Sequence, residues 1–530
     1  MVRPDSARGL LAAAFALLAL ASCGTNPVTG KRELQFVSES QEIQTGAQNY
    51  APMRQSEGGD YVVLPDLTAY VNEVGQKLVA VSDRVTLSER KLPFEFKVLN
   101  NSVPNAWALP GGKIAVNRGL LTELNSEAEL AAVLGHEMVH ALARHGAQAQ
   151  ERGVLLQGGL VAAQLGAVLG GVDERATGLL LGGAGVGAQL ITTRYGRDAE
   201  LQSDLYGTRL MKAAGYDPMA AVSLQETFVR LAEGKKPGWL EGLFASHPPS
   251  QERVTRNRET AMQLGAGGEV GADRYAARMA PLRQLKPGYD KFDQAQAALQ
   301  KKDNAGAKAL ASEAVRLVPR EGAFHQLLGD IALNEKRNQE AVPHYQRAME
   351  LNPGYFGSWL GAGVAQYRLN NRPQAEQWLK RSMELLPTAP ASLYLGNLAR
   401  DRGDADGALK LYQSAASSQG SIGQEAAREA VLLELPRNPA SYVAAAVRTG
   451  SDGRPILIVQ NRAPVAIAAI VVTPVQVNAQ GQVAQTGRAI SIAGPLAAGA
   501  QVTADPGLAA LTAEQLATVR VRIDAARVAQ

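Results

Sequence analysis

The residues of this chain whose types and spacing most directly imply chemistry are His136-Glu137-Met-Val-His140. At about 100° per residue the two histidines lie about 40° apart on a helix, so both imidazoles can meet one metal ion. Glu137, beside them, can serve as general base toward an attacking water. A catalytic zinc typically has three protein ligands and one open position, so a third must come from elsewhere. Arg197-Asp-Ala-Glu200-Leu-Gln-Ser-Asp204 offers two carboxylates at i and i+4 on one helix face. One of them can bind a single Zn2+ while the other orients a neighbouring histidine. Gly207, on the same side, permits close helix packing.

These side chains need rigid elements to hold them. Ser126-Glu-Ala-Glu129 predicts a capping box, Ser126 capping the helix and Glu129 reaching back to it. Leu130, Val133, Leu134, Met138, Val139 and Leu142 continue the helix as an apolar body. The paired histidines therefore face an interior, where unpaired imidazoles are costly. His145 falls about 180° around that helix from His136 and is expected at the surface or behind the site, unable to reach the metal. His325 and His344 read as ordinary helix residues. Gly153–Leu190 is rich in Gly, Ala and Leu, but Gln157, Gln164, Asp173, Glu174 and Arg175 interrupt it. Its apolar pieces are shorter than a bilayer needs, so a helical hairpin covering the site is expected.

At 530 residues the chain is too long for one core, and two to four domains are expected. A net charge of +4 without a Lys/Arg-rich block argues against nucleic acid as partner. The one cysteine, Cys23, has no internal disulfide partner. Arg3 and Arg8 precede the apolar run Leu10–Ala21, which is too short to span a bilayer and ends in Leu-Ala-Ser-Cys23. This resembles a bacterial lipoprotein signal in which residues 1–22 are removed and Cys23 is acylated. Gly24, rather than Asp, after the cysteine implies a periplasmic protein anchored to the outer membrane.

Farther along, Ala307, Ala341 and Ala375 recur every 34 residues, as do Pro319, Pro353 and Pro387, and Gly329 and Gly363; Ala408 and Gly396 follow 33 later. That period identifies about four tetratricopeptide repeats over residues 288–435, a helix–turn–helix solenoid whose concave face suits a protein partner. Residues 440–530 contain short apolar runs such as Ile456–Gln460 and Ala468–Val472 between turn signals, predicting six or seven strands in an all-β, sandwich-like domain.

Together the two metal motifs resemble those of the gluzincin metallopeptidases related to HtpX and the CAAX prenyl proteases. Further segments carry the likeness over residues 25 to about 260: Asn26-Pro-Val-Thr-Gly-Lys-Arg32, Asn105-Ala-Trp-Ala-Leu-Pro-Gly-Gly112 with the following Lys113–Leu121, and Ser246-His247-Pro-Pro249 with Glu252-Arg253. The resemblance implies a mainly α, zincin-like metalloprotease domain with a small β-sheet over residues 23–275. It assigns His136, His140 and Glu200 to zinc and Asp204 to support behind them. Ser203 departs from the usual Ala before that aspartate. The segment from Ala106 to Val116 is expected to be an edge strand that an extended substrate joins by main-chain hydrogen bonds, with Asn105, Ala106, Pro110 and Gly111 lining it. His247 has two implied roles, oxyanion donor or a zinc ligand that keeps the enzyme latent. The implied activity is zinc-dependent cleavage of misfolded or stalled envelope proteins; the alternative is a chaperone-like factor binding clients through its repeats.

Overall fold

A computed structural model of the protein describes residues 23–86, 90–152, 195–233, 246–265, 267–450, 454–478, 480–509 and 511–529. The expected signal sequence, residues 1–22, and the expected Gly153–Leu190 hairpin lie outside the described residues. The chain divides into two compact units. One reaches to Ile331 and includes Arg347–Tyr355; the other holds Ala332–Gln346 and Phe356 onward.

In the first unit, β1 (Cys23–Thr25) and β2 (Arg32–Leu34) form a short antiparallel pair. They lead to α1 (Glu39–Ser56) and α2 (Pro65–Val79). A three-stranded sheet follows in the order β3 (Glu95–Leu99), β5 (Lys113–Asn117), β4 (Ala106–Leu109). β3 runs parallel and β4 antiparallel to β5. The expected single strand from Ala106 to Val116 is thus two strands, because Gly111 (φ 75°) and Gly112 (φ 81°) turn the chain back on itself. Of these two, β4 lies at an edge of the sheet; β5, with Ile114, Ala115 and Val116 buried, is central. Short α3 (Arg118–Glu123) then delivers the chain to α4 (Glu127–Leu142).

Every residue of α4 is buried, which explains its nearly unbroken apolar sequence. Ser126 caps it by accepting from the Glu129 amide at 3.1 Å. The expected capping box is not closed. Glu129 instead accepts from the Asn125 amide at 2.7 Å and from the Ser223 hydroxyl at 2.6 Å, stitching the helix start to the next layer. That layer is α5 (Arg197–Ala213), α6 (Met219–Glu233) and α7 (Gln251–Leu264). The 29-residue α8 (Ala272–Gln300) continues through Pro281 and Pro287, so the stretch expected to separate two domains near 275–288 is helical throughout.

The repeat helices are α9 (Asn304–Leu317), α10 (Gly322–Asn334), α11 (Asn338–Leu351), α12 (Phe356–Arg368), α13 (Arg372–Leu385), α14 (Ala389–Asp401), α15 (Ala405–Ala416) and α16 (Ser421–Glu434). Pro319, Pro353 and Pro387 each stand two residues past the end of a helix, where their lack of an amide proton does no harm. In the second unit Gly396 faces the Tyr412 ring, whose Cε1 is 2.6 Å from where a Cβ would stand. The unit ends in seven strands: β6 (Val443–Thr449), β7 (Pro455–Asn461), β8 (Ile467–Val477), β9 (Val483–Thr486), β10 (Ile490–Leu496), β11 (Gln501–Ala504) and β12 (Val519–Val528). They form a β11-β7-β6 sheet and a β10-β8-β12 sheet with β9 also on β8. Val443, Leu457 and Val459 from the first and Ile467, Ile470 and Val472 from the second share one core. No helix among the described residues is long and apolar enough to cross a membrane.

The contact that matters most for the site is the crossing of α4 and α5. A Cβ on Gly207 would stand 2.9 Å from the His136 amide nitrogen and 3.0 Å from the Gly135 carbonyl carbon. These are backbone atoms and cannot swing aside. Gly207→Val is therefore expected to cost about 1–3 kcal/mol in a denaturant titration, by forcing apart the helices that carry the two expected metal motifs.

Candidate metal centre

Three elements bring four donor side chains to one point. α4 presents His136 and His140, α5 presents Glu200, and the turn before α7 presents His247. One donor atom from each lies within 4.8 Å of all the others, and all four residues are buried. The Nε2 atoms of His136 and His140 are 3.0 Å apart, and His136 Nε2 is 3.3 Å from His247 Nδ1. Glu200 Oε1 is 3.0 Å from His247 Nδ1 and 3.4 Å from His140 Nε2. Glu200 Oε2 is 3.6 Å from His136 Nε2.

This donor set fits a divalent cation. Bonds of about 2.0–2.2 Å at tetrahedral angles separate the ligands of zinc by about 3.3–3.6 Å, close to the spacings found. Imidazole lone pairs aimed at one another away from water repel unless a cation or a proton lies between them. Beside the cluster, Glu137 is 2% exposed; its Oε1 is 3.6 Å from His247 Nε2 and its Oε2 has no hydrogen-bond partner. A buried carboxylate oxygen left without a partner is costly in a purely structural role and useful in one that receives a proton.

A second layer fixes the first. Asp204 Oδ1 accepts from His136 Nδ1 at 2.9 Å, which leaves the Nε2 lone pair pointing into the cluster. Arg253 donates from Nε to Asp204 Oδ2 and from Nη2 to Oδ1, each at 2.7 Å, and its Nη1 lies 3.0 Å from Glu200 Oε2. Burial would raise the Asp204 carboxyl, but Arg253's charge and hydrogen bonds leave it lower than an ordinary aspartate. Burial likewise works to raise Glu200. The charge of His247 beside it holds it well below the usual carboxylate range.

His145 lies past the end of the helix whose periodicity sets its expected place. α4 stops at Leu142, and Arg144 adopts a left-handed conformation (φ 63°) that breaks the helix before His145. Of the two expected places His145 takes the one behind the site: it is buried, with its Nδ1 2.9 Å from His140 Nδ1. Burial lowers its pKa to about 4, so the ring is uncharged near neutrality. Sequence reasoning also missed Tyr195, whose ring stacks on His140 at 3.9 Å between centroids. Arg253 stood in a recognised motif without a role. A signal for His145 existed in the Arg144-His145-Gly146 sequence, a plausible helix stop.

The other expected residues separate into two groups. Asn105, whose carbonyl accepts from the Asn117 amide at 2.8 Å, stands just before β4, and Ala106 begins it. Gly111 sits in the turn beneath α1, where a Cβ on it would lie 2.6 Å from Ile43 Cα, so it is covered. The far end of β4 reaches the centre: Ala108, Leu109 and Pro110 share a small cavity with His140 and Tyr195. Asn26 accepts from the Val28 and Thr29 amides and donates to the Ala143 carbonyl at 3.2 Å, tying the expected N-terminal signature to the end of α4. Cys23 begins β1.

Residues 65–261 match the family model described as Peptidase family M48, and residues 292–356 and 332–395 match tetratricopeptide repeat models. The "Beta-barrel assembly-enhancing protease" of Yersinia pestis is 28% identical over 309 residues, covering 54% of this chain and 62% of that protein. The protein of the same name from Escherichia coli (strain K12) is 26% identical over 475 residues, covering 81% of this chain and 93% of that one. The "Mitochondrial metalloendopeptidase OMA1" of Schizosaccharomyces pombe is 34% identical over 238 residues, covering 44% and 65%. The chain thus spans less than two thirds of the Yersinia and fission-yeast proteins.

Arg253 compensates two buried carboxylates at once. Arg253→Met is expected to destabilise the metal-free protein by about 3–5 kcal/mol, read as a shift of the urea midpoint at neutral pH. A change below about 1 kcal/mol would show that the pairing carries little of the fold.

Proposed function

We propose that this chain, whose residues 65–261 belong to peptidase family M48 and which continues into tetratricopeptide repeats, is a zinc-dependent endopeptidase of the bacterial periplasm. Its substrates are misfolded or stalled envelope proteins, and Cys23 carries the lipid that holds it at the outer membrane. The reading divides the chain into a peptidase domain at 23–275, repeats at 288–435 and a β domain at 440–530. The observation that carries the activity is the convergence of His136, His140 and Glu200 beside Glu137, whose Oε2 is buried and unpartnered. The envelope location is supported by the Leu10–Cys23 signal and by the names of the enterobacterial relatives.

His136, His140 and Glu200 would hold one zinc ion, which supplies Lewis acidity at the scissile carbonyl. An extended segment of substrate adds to the edge of β4 that pairs with no strand among the described residues, where main-chain hydrogen bonds tolerate varied sequences. Glu137 takes the proton of the attacking water and passes it to the leaving amine. Asp204, held by Arg253, keeps His136 in the tautomer that presents Nε2. His247, 3.0 Å from Glu200 and 3.6 Å from Glu137, stands in the fourth position of the cluster, and in that position it closes the site. This contact favours a second reading as well, in which the repeats bind clients and the peptidase rests latent.

Glu137→Gln is expected to lower cleavage of unfolded casein by about 10²–10⁴-fold while leaving zinc content unchanged. A chelator should abolish wild-type cleavage, and added zinc should restore it. Equal cleavage by the variant and wild type would remove the hydrolase assignment. Lost cleavage with retained envelope function in cells would favour the client-binding reading.

A further inference from the structure

The two helix-borne imidazoles are backed in different ways. His136 rests on a carboxylate, Asp204. His140 rests on another imidazole: its Nδ1 is 2.9 Å from His145 Nδ1, and His145 Nε2 is 2.9 Å from Gln202 Oε1. His140 and His145 are 2% and 3% exposed, so bulk water does not compete for these bonds. One hydrogen lies between the two Nδ1 atoms, and its placement decides what His140 offers the metal. With the hydrogen on His140 Nδ1, its Nε2 carries a lone pair into the cluster. With the hydrogen on His145 Nδ1, the neutral His140 carries its proton on Nε2, 3.0 Å from His136 Nε2, and cannot bind a metal.

Gln202 selects between these arrangements. Its Oε1 only accepts, so His145 Nε2 must donate to it; a neutral His145 then has a bare Nδ1, which must accept from His140. Ser203, the departure from the usual Ala, adds a buried hydroxyl 3.4 Å from the same Nδ1. We infer that His145 is a positioning residue that, aligned by Gln202, accepts the Nδ1 proton of His140 and so directs its Nε2 toward the metal. This rests on the reading of the cluster as a zinc site. The arrangement has an electrostatic reason. Glu137, Glu200 and Asp204 already place three carboxylates around the centre, two of them paired with Arg253, and a fourth behind His140 would add further buried negative charge. An uncharged imidazole–amide chain orients the ligand without that cost. α5 supplies the anchor of both supports, Gln202 for His140 and Asp204 for His136.

The test is zinc affinity, measured on the full chain by competition with a chromophoric chelator. His145→Leu fills the space but accepts nothing, and should weaken zinc binding about 10–100-fold. His145→Asn places a carbonyl oxygen near the position of Nδ1 and should restore most of that loss. If His145→Leu fails to fold, Gln202→Met and Gln202→Glu test the same chain from its far end: the methionine should weaken zinc binding, and the glutamate, which still accepts, should not. Equal losses in the Leu and Asn variants, or in the Met and Glu variants, would reduce His145 to a packing residue. Unchanged affinity in His145→Leu or Gln202→Met would overturn the inference outright. Absence of zinc binding by the wild type would instead sink the metal reading on which it depends.

Discussion

Two helix backbones meet where Gly135 of α4 faces Gly207 of α5, and that close approach sets the geometry of everything around it. Side chains at the crossing are short of reach: an imidazole on one helix and a carboxylate on the other can share a point only if no Cβ keeps the helices apart. With the crossing fixed, His136 and His140 project from α4 one turn apart, and Glu200 and Asp204 project from α5 one turn apart. The two rows interleave, Glu200 meeting the Nε2 edges of both rings and Asp204 the Nδ1 edge of one. The cluster is concentrated charge in a dry interior, which is why it needs a further layer. Arg253, carried by α7 and set at its first turn by the Ser250 cap, spans both carboxylates. The same logic extends outward: Glu42 pairs with Arg90 and Arg144 at the end of α4, and Asn26 holds the N-terminal segment to the carbonyl of Ala143.

Much of this was legible in the sequence because it is periodic. A four-residue spacing inside one helix specifies a shared face whatever surrounds it, so His136, Glu137 and His140, and separately Glu200 and Asp204, could be read as units. The repeats were legible for the same reason at a longer period, since each copy must bury the same small residues against its neighbour. That the two metal motifs belonged together was not contained in either period; it came from their likeness to a known family.

What escaped lies where local periodicity stops. The angle assigned to His145 assumed that α4 continues, but the left-handed turn at Arg144 brings the ring back behind His140. Glu129 was expected to close a capping box and is drawn one residue farther, to Asn125 and Ser223, because α6 packs against that end. The strand expected from Ala106 to Val116 is broken by two glycines with positive φ, which makes the apolar half central and leaves β4 at an edge. Tyr195 and Arg253 come to the centre through tertiary packing alone, and no spacing to the histidines announces either of them. Each departure sharpens the site rather than dissolving it, by adding a partner to a side chain that the motifs had placed without one.

The central claim is that the two α4 imidazoles and the Glu200 carboxylate share a single zinc ion, and anomalous X-ray scattering from crystals grown with zinc tests it most directly. The account predicts one strong peak per chain, within bonding distance of Nε2 of His136 and His140 and of the Glu200 carboxylate. A peak elsewhere on the surface, or none at saturating zinc, would contradict it.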